Sequence, residues 1–197
     1  MMRRKEIILI VSLIGIICIL IISIILSLKT EKIKVKKEEA AQIYSPIIKE
    51  TTEKKEVTIF FPSEKDSLLY PETREIYLTP SLIQQAKQVI LELIKGPEHD
   101  HLPSLPSTTK LREIFITDDG TAYIDFSKEI YQQHPGGSEA EIISIYAIVN
   151  SLTYNFPQIK KVQILIEGLE KETLNGHIDL TKPFSPRFNL IASNKEY

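Results

Sequence analysis

Residues 7–28, IILIVSLIGIICILIISIILSL, carry no charge and no proline. A helix rises about 1.5 Å per residue, so about 20 apolar residues cross the hydrocarbon core of a bilayer. The run lacks the polar face that a helix on the surface of a globular core shows. It predicts one transmembrane helix, after a short cytoplasmic N-terminus at residues 1–6. A cleaved secretory signal has a shorter apolar stretch and a small-residue cleavage site, whereas Leu28 is followed by Lys29-Thr30-Glu31-Lys32. A lipoprotein signal needs a small residue before its cysteine, and Cys18 follows Ile17. An uncleaved signal-anchor is therefore expected.

Charge leaves the orientation near even. Arg3, Arg4 and Lys5 precede the helix, which favours a cytoplasmic N-terminus, but Lys29, Lys32, Lys34, Lys36 and Lys37 follow it. The two parts of the chain differ in sign. Residues 1–56 hold 11 Lys and Arg against 7 Asp and Glu, and residues 57–197 hold 13 against 19. An acidic domain is a poor match for nucleic acid or for an anionic membrane surface. Cys18 is the one cysteine, which excludes intrachain disulfides and a thiolate metal site from the rest of the chain.

Residues 29–56 are charged and interrupted at Pro46. They read as a spacer whose 28 residues, as a loose coil, span roughly 30 Å. The domain then runs over residues 57–185, with a C-terminal tail at 186–197. VTIFFP (57–62) and REIYLT (74–79) read as strands. A helix follows, with Thr79 as its N-cap, Pro80 at its first position and Gly96-Pro97 as its stop. KLREIFITDDGTAYIDFS (110–127) predicts a hairpin turning at Asp118-Asp119-Gly120. A second helix is expected over 138–155, a strand over 160–168, and a short strand over 177–180 in an otherwise loop-like tail. This order predicts a two-layer α+β domain with a mixed sheet and two packed helices.

Gly136 and Gly137 stand directly before the second helix, where backbone N–H groups can cradle a phosphate. A Walker-type loop needs a lysine and Ser/Thr after its last glycine; here Ser138-Glu139-Ala140-Glu141 follows. Ser138 and Glu141 have the spacing of a capping box, and Glu139 and Glu141 put negative charge at the positive end of the helix. The glycines then serve the backbone, and a phosphate receptor is disfavoured.

His99-Asp100-His101 offers metal-ligand residue types, but alternate positions in a loop do not converge unless the backbone forces them to. A solvated loop is expected there, and His134 and His177 are expected as hydrogen-bonded loop residues. Asp118 and Asp119 are turn formers, and Asp125 is expected to cap the turn after its strand. No nucleophile stands beside a base in the sequence, so no catalytic, metal or cofactor-binding residue is assigned. Asp125 with Glu167 or Asp179 is the carboxylate pair to watch for an enzyme.

The segments VTIFFP, LYPETREIYLT, VILELIKGPE, LPSLPSTTKL, DDGTAYIDFSKEI, GGSEAEIISIYAIVNSLT, FPQIKKVQILIEG and GHIDLTKPF resemble, in order, the GerMN domain of sporulation, germination and other envelope proteins. The resemblance implies an extracytoplasmic, non-enzymatic module with a fold similar to ring-building-motif domains. It points to an N-terminus inside the cell. Relative to the best-known member, which supports the complex between mother cell and forespore, this chain has one copy of the domain rather than two. It also has an apolar helix rather than a lipidated cysteine. The partners implied are envelope proteins, with peptidoglycan binding or an amidase accessory as the alternative. A homo-oligomer is compatible with the related fold.

Overall fold

The computed structural model describes residues 53–192. The expected transmembrane helix at 7–28 and most of the spacer lie outside the described residues, among which no helix is long and apolar enough to cross a membrane. The described part is α+β.

β1 (Lys54–Pro62) and β2 (Leu69–Tyr77) pair antiparallel along their whole length. Both start earlier in the chain than their sequence suggests. β1 takes three residues from the expected spacer. β2 extends back from Arg74 through Glu72 to Leu69, and Glu72 is a polar position that a hydrophobic pattern does not flag. α1 (Leu82–Lys95) buries Ala86, Val89, Ile90, Leu93 and Ile94 on one stripe. Its cap is Ser81, whose Oγ accepts the Gln84 N–H at 3.3 Å, rather than Thr79 with Pro80 inside the helix.

β3 (Leu111–Ile116) and β4 (Thr121–Phe126) form the expected hairpin, with a bulge between Leu111 and Glu113. Gly120 sits in the turn at φ +88°, and a Cβ there would stand 2.6 Å from the Gln158 carbonyl oxygen. This glycine is required by space as well as by conformation. After a single turn, α2 (Glu129–Gln132), comes α3 (Ser138–Asn155), which crosses back to β5 (Lys161–Ile166). β5 pairs parallel with β4, the geometry that needs such a crossover.

The strands therefore form two sheets, β1-β2 and the mixed β3-β4-β5, rather than one. α3 packs against β1, β5 and α1 and is buried almost all round, including Asn150, Ser151 and Thr153. That explains its polar interior residues. Asn155 Nδ2 donates to the Thr58 carbonyl at 2.6 Å and its Oδ1 accepts the Thr58 N–H at 2.9 Å, while Ser151 Oγ accepts the Phe60 N–H at 3.1 Å. Gln88 on α1 does the same for Tyr77 at the far edge, at 2.7 and 3.0 Å. Side-chain groups thus cover part of each outer edge of the two-stranded sheet, where a third strand would otherwise add.

The tail makes isolated bridges, Val162 with Phe184 and Thr173 with Asp179, in place of a strand at 177–180. A 3-10 turn, Phe188–Leu190, and a bridge from Ile191 to Leu69 carry the packed domain beyond residue 185.

Candidate functional site

A cleft of about 590 Å³ opens between the β1–β2 turn, the loop at 102–106 and the first two turns of α3. Leu102, Leu105, Ala140 and Ile143, with Pro62, Pro103, Pro106 and Pro135, give it an apolar lining, and Glu64, Lys65, Asp66 and Glu139 contribute charge. The β1–β2 turn is folded on itself: Asp66 accepts the Leu68 N–H at 3.2 Å and the Tyr70 hydroxyl at 2.9 Å. Ser67 donates to Glu139, which ties the turn to α3 across the cleft.

Two buried carboxylates fix the walls. Glu72 points inward from β2 and pairs with Arg74 at 2.6 Å. It also accepts the N–H groups of Glu98 and His99 at 3.0 and 3.3 Å and meets His101 Nδ1 at 2.7 Å. The loop it holds leads into Leu102, whose N–H reaches the Pro62 carbonyl at 2.8 Å. The ring of His101 stacks on Tyr70 at 5.4 Å. Burial opposes the charge on Glu72, and the Glu98 N–H, His101 and Arg74 outweigh it, so its pKa falls to about 2.

Glu141 lies in α3 between cleft-lining neighbours, but its own side chain is buried and receives the tail. Its oxygens accept the N–H groups of Leu174, Asn175, His177 and Ile178 at 3.0 to 3.2 Å, and His177 Nδ1 stands 3.2 Å away. Burial again opposes the charge, yet these donors hold the carboxyl below the ordinary glutamate value.

The capping box expected of Ser138 and Glu141 is not formed. Gly137 occupies the cap position at φ +89°, Ser138 is the first helical residue, and no side chain caps the end. Glu141 is drawn into the tail instead, because four N–H donors converging on a buried carboxylate outcompete one exposed one. Gly136, at φ +81°, donates its N–H to His134 Nδ1 at 3.1 Å. With Nδ1 accepting, the proton of the neutral ring lies on Nε2, which meets Ser144 Oγ at 2.9 Å. Burial lowers the His134 pKa, against the opposing charge of Glu141, which favours this neutral form.

His134 and Ser144 are a serine–histidine contact that sequence order conceals, ten residues apart in the chain. The ring donates to the serine here, the reverse of what a general base needs. Asp125 and Glu167 do come together, around Arg112: Asp125 Oδ2 accepts from Nε at 2.8 Å and Glu167 Oε2 from Nη1 at 3.0 Å. Their other oxygens accept the Gly168 and Lys128 N–H groups, both at 2.8 Å. All four oxygens are engaged, so the pair acts as a clasp between strand ends rather than an acid and base. Asp179 stands apart, bonded to Thr181. His99 and His101 converge on Glu72 rather than on a metal, and no metal-binding cluster occurs among the described residues.

The model of the family Germane, described as sporulation and spore germination, matches residues 58–172. A crystal structure of a candidate lipoprotein from Clostridium perfringens is 29% identical, with 72% of this chain covering 95% of that one at a TM-score of 0.50. The tandem GerMN domains of the sporulation protein GerM from Bacillus subtilis are 24% identical, covering 72% of this chain and 49% of that one at a TM-score of 0.54, which shows the shared fold. The chain thus spans about half of the tandem. No curated protein sequence matches.

Proposed function

The chain belongs to the Germane family of sporulation and spore germination domains, and we propose from that membership that it is a non-enzymatic interaction module of the cell envelope. A helix at residues 7–28 anchors it, the N-terminus lies in the cytoplasm, and the domain contacts an envelope protein through the cleft. The observation that carries this reading is the cleft itself. It has an apolar floor and a charged rim, the layout of a surface that buries part of a protein partner. The groups that chemistry would use, Glu72, Glu141, His134 and the Asp125–Glu167 pair, are all committed to internal hydrogen bonds. Membrane attachment is supported by the Clostridium perfringens neighbour, whose description is that of a lipoprotein.

The test uses the full chain in living cells. A photo-crosslinking residue at Lys65 or Pro106 should capture one envelope protein, and the same residue at Lys161, beside the far hairpin, should not. No capture from the cleft, together with sedimentation of the protein on purified peptidoglycan, would favour the wall-binding alternative. An active cytoplasmic reporter fused to the C-terminus would overturn the envelope placement.

A further inference from the structure

The outer edges of the strands are covered unequally. On β1, Thr58 and Phe60 are claimed by Asn155, Ser151 and Ser104. On β2, Tyr77 is claimed by Gln88, the Leu69 carbonyl by Ala192 and the Thr73 carbonyl by Arg74, and Pro71 has no N–H to offer. Among the described residues, the outward groups of Glu56 and Glu75 and the Thr73 N–H stay open, beside charged or polar side chains. On β5, Val162 exchanges both bonds with Phe184 and Ile166 bonds to Leu169. β3 differs. Thr117 bonds to Thr121 across the hairpin, so by alternation Ile114 and Ile116 turn their backbone groups outward. The Ile114 N–H is covered only by the carboxylate of Glu113, held by Lys87 at 2.6 Å. Among the described residues, the Ile114 carbonyl and both backbone groups of Ile116 have no partner on that side. Beside them Phe115 is 59% exposed on the outer face of the sheet.

We propose that the β3 edge pairs antiparallel with β3 of a second copy of this chain, about a two-fold axis at Phe115. Charge sets the direction of this pairing. The segment begins with Lys110 and Arg112 and runs into Asp118 and Asp119. An antiparallel copy sets each basic end against an acidic one, whereas a parallel copy would align like charges. Setting Arg112 opposite Asp118 joins outward-facing Ile114 to outward-facing Ile116 of the partner copy and centres the pair on Phe115. Arg112 has further N–H donors beyond those given to Asp125 and Glu167. The two Phe115 rings then lie in the close, non-hydrogen-bonded position, with Cα atoms about 4.5 Å apart. Glu113 is the guard that must swing aside. This pairing lies apart from the cleft and does not depend on what binds there.

The test is disulfide trapping in the full-length, membrane-inserted protein carrying Cys18→Ser, which removes the one native thiol. A separation of about 4.5 Å suits a disulfide, so Phe115→Cys should form a covalent dimer under mild oxidation. It should do so on the order of tenfold or more faster than Tyr154→Cys, a position of similar exposure elsewhere. Adding Ile116→Pro, which removes an outward N–H, should abolish trapping by Phe115→Cys, and adding Glu113→Ala should speed it. Equal trapping at positions 115 and 154, trapping at neither, or trapping that survives Ile116→Pro would each overturn the proposal.

Discussion

Glu72 and Glu141 present the same problem and solve it differently. Each is buried, each organises a loop far along the chain, and each meets histidine, His99 and His101 at Glu72 and His177 at Glu141. Glu72 neutralises its charge with the guanidinium of Arg74, itself buried and flanked by Glu92 and Glu98 at 3.7 and 3.5 Å. Glu141 has no such cation. Its charge is spread over four backbone N–H groups of the 174–178 loop. A side-chain partner can be exchanged together with its carboxylate, but a loop backbone cannot. The two carboxylates should therefore differ in whether a second mutation can rescue the first.

The largest effect is expected at Glu141. Glu141→Ala strands four N–H donors, one buried and three half-buried. An unpaired buried donor costs about 1–3 kcal/mol and water reaches the others, so a loss of about 4 kcal/mol in urea unfolding is expected. No single companion substitution should restore it. Glu72→Ala should cost about 3 kcal/mol, mainly by leaving Arg74 charged in the interior with only its longer contacts to Glu92 and Glu98. Combining Glu72→Leu with Arg74→Met should recover most of that loss. A double variant as unstable as Glu72→Ala alone would show that the bonds to Glu98 and His99, not the ion pair, dominate this site, and the contrast would collapse.

Acid should act on both. A carboxylate whose folded pKa is depressed contributes fully above its unfolded value of 4.5 and loses that contribution as pH falls through the folded value. For Glu72 this window runs from 4.5 to about 2. His134, whose pKa is lowered by burial, adds an earlier loss that begins as pH falls through 6.5. Stability measured from about pH 8 to about pH 3 should therefore fall in two stages. His134→Asn should remove the first, and Glu141→Gln should shrink the second. The smallest expected effect is Gly137→Ala, at about 1 kcal/mol. A Cβ there meets nothing within 4 Å, so only the positive φ opposes it.

Local patterns made much of the fold legible. The β3–β4 hairpin, the stripe of α1 and the strand β5 follow from alternation, helical spacing and turn residues within a few positions. What stayed hidden depends on distant partners. Alternation from Ile76 puts Glu72 on the inner face, but nothing near it shows what would hold its charge there, since its loop lies 26 to 29 residues away. Glu141 is harder still, because its spacing from Ser138 suits a local cap while its true partners begin 33 residues on. The division into two sheets likewise depends on how α3 packs, which its own sequence does not state. For the site, the sequence reads Gly136 and Gly137 as backbone devices, and both take positive φ. The contact of His134 with Ser144 had no sequence signal beyond the presence of both residues.

The most direct test of the account is amide hydrogen exchange on the full-length protein and its Glu141→Gln variant. Protection should fall at Leu174, Asn175, His177 and Ile178, and in the first turns of α3 that wall the cleft, while Glu98 and His99 stay protected on Glu72. Unchanged exchange at 174–178, or an equal loss of protection at both loops, would contradict the claim that each buried carboxylate separately holds one wall.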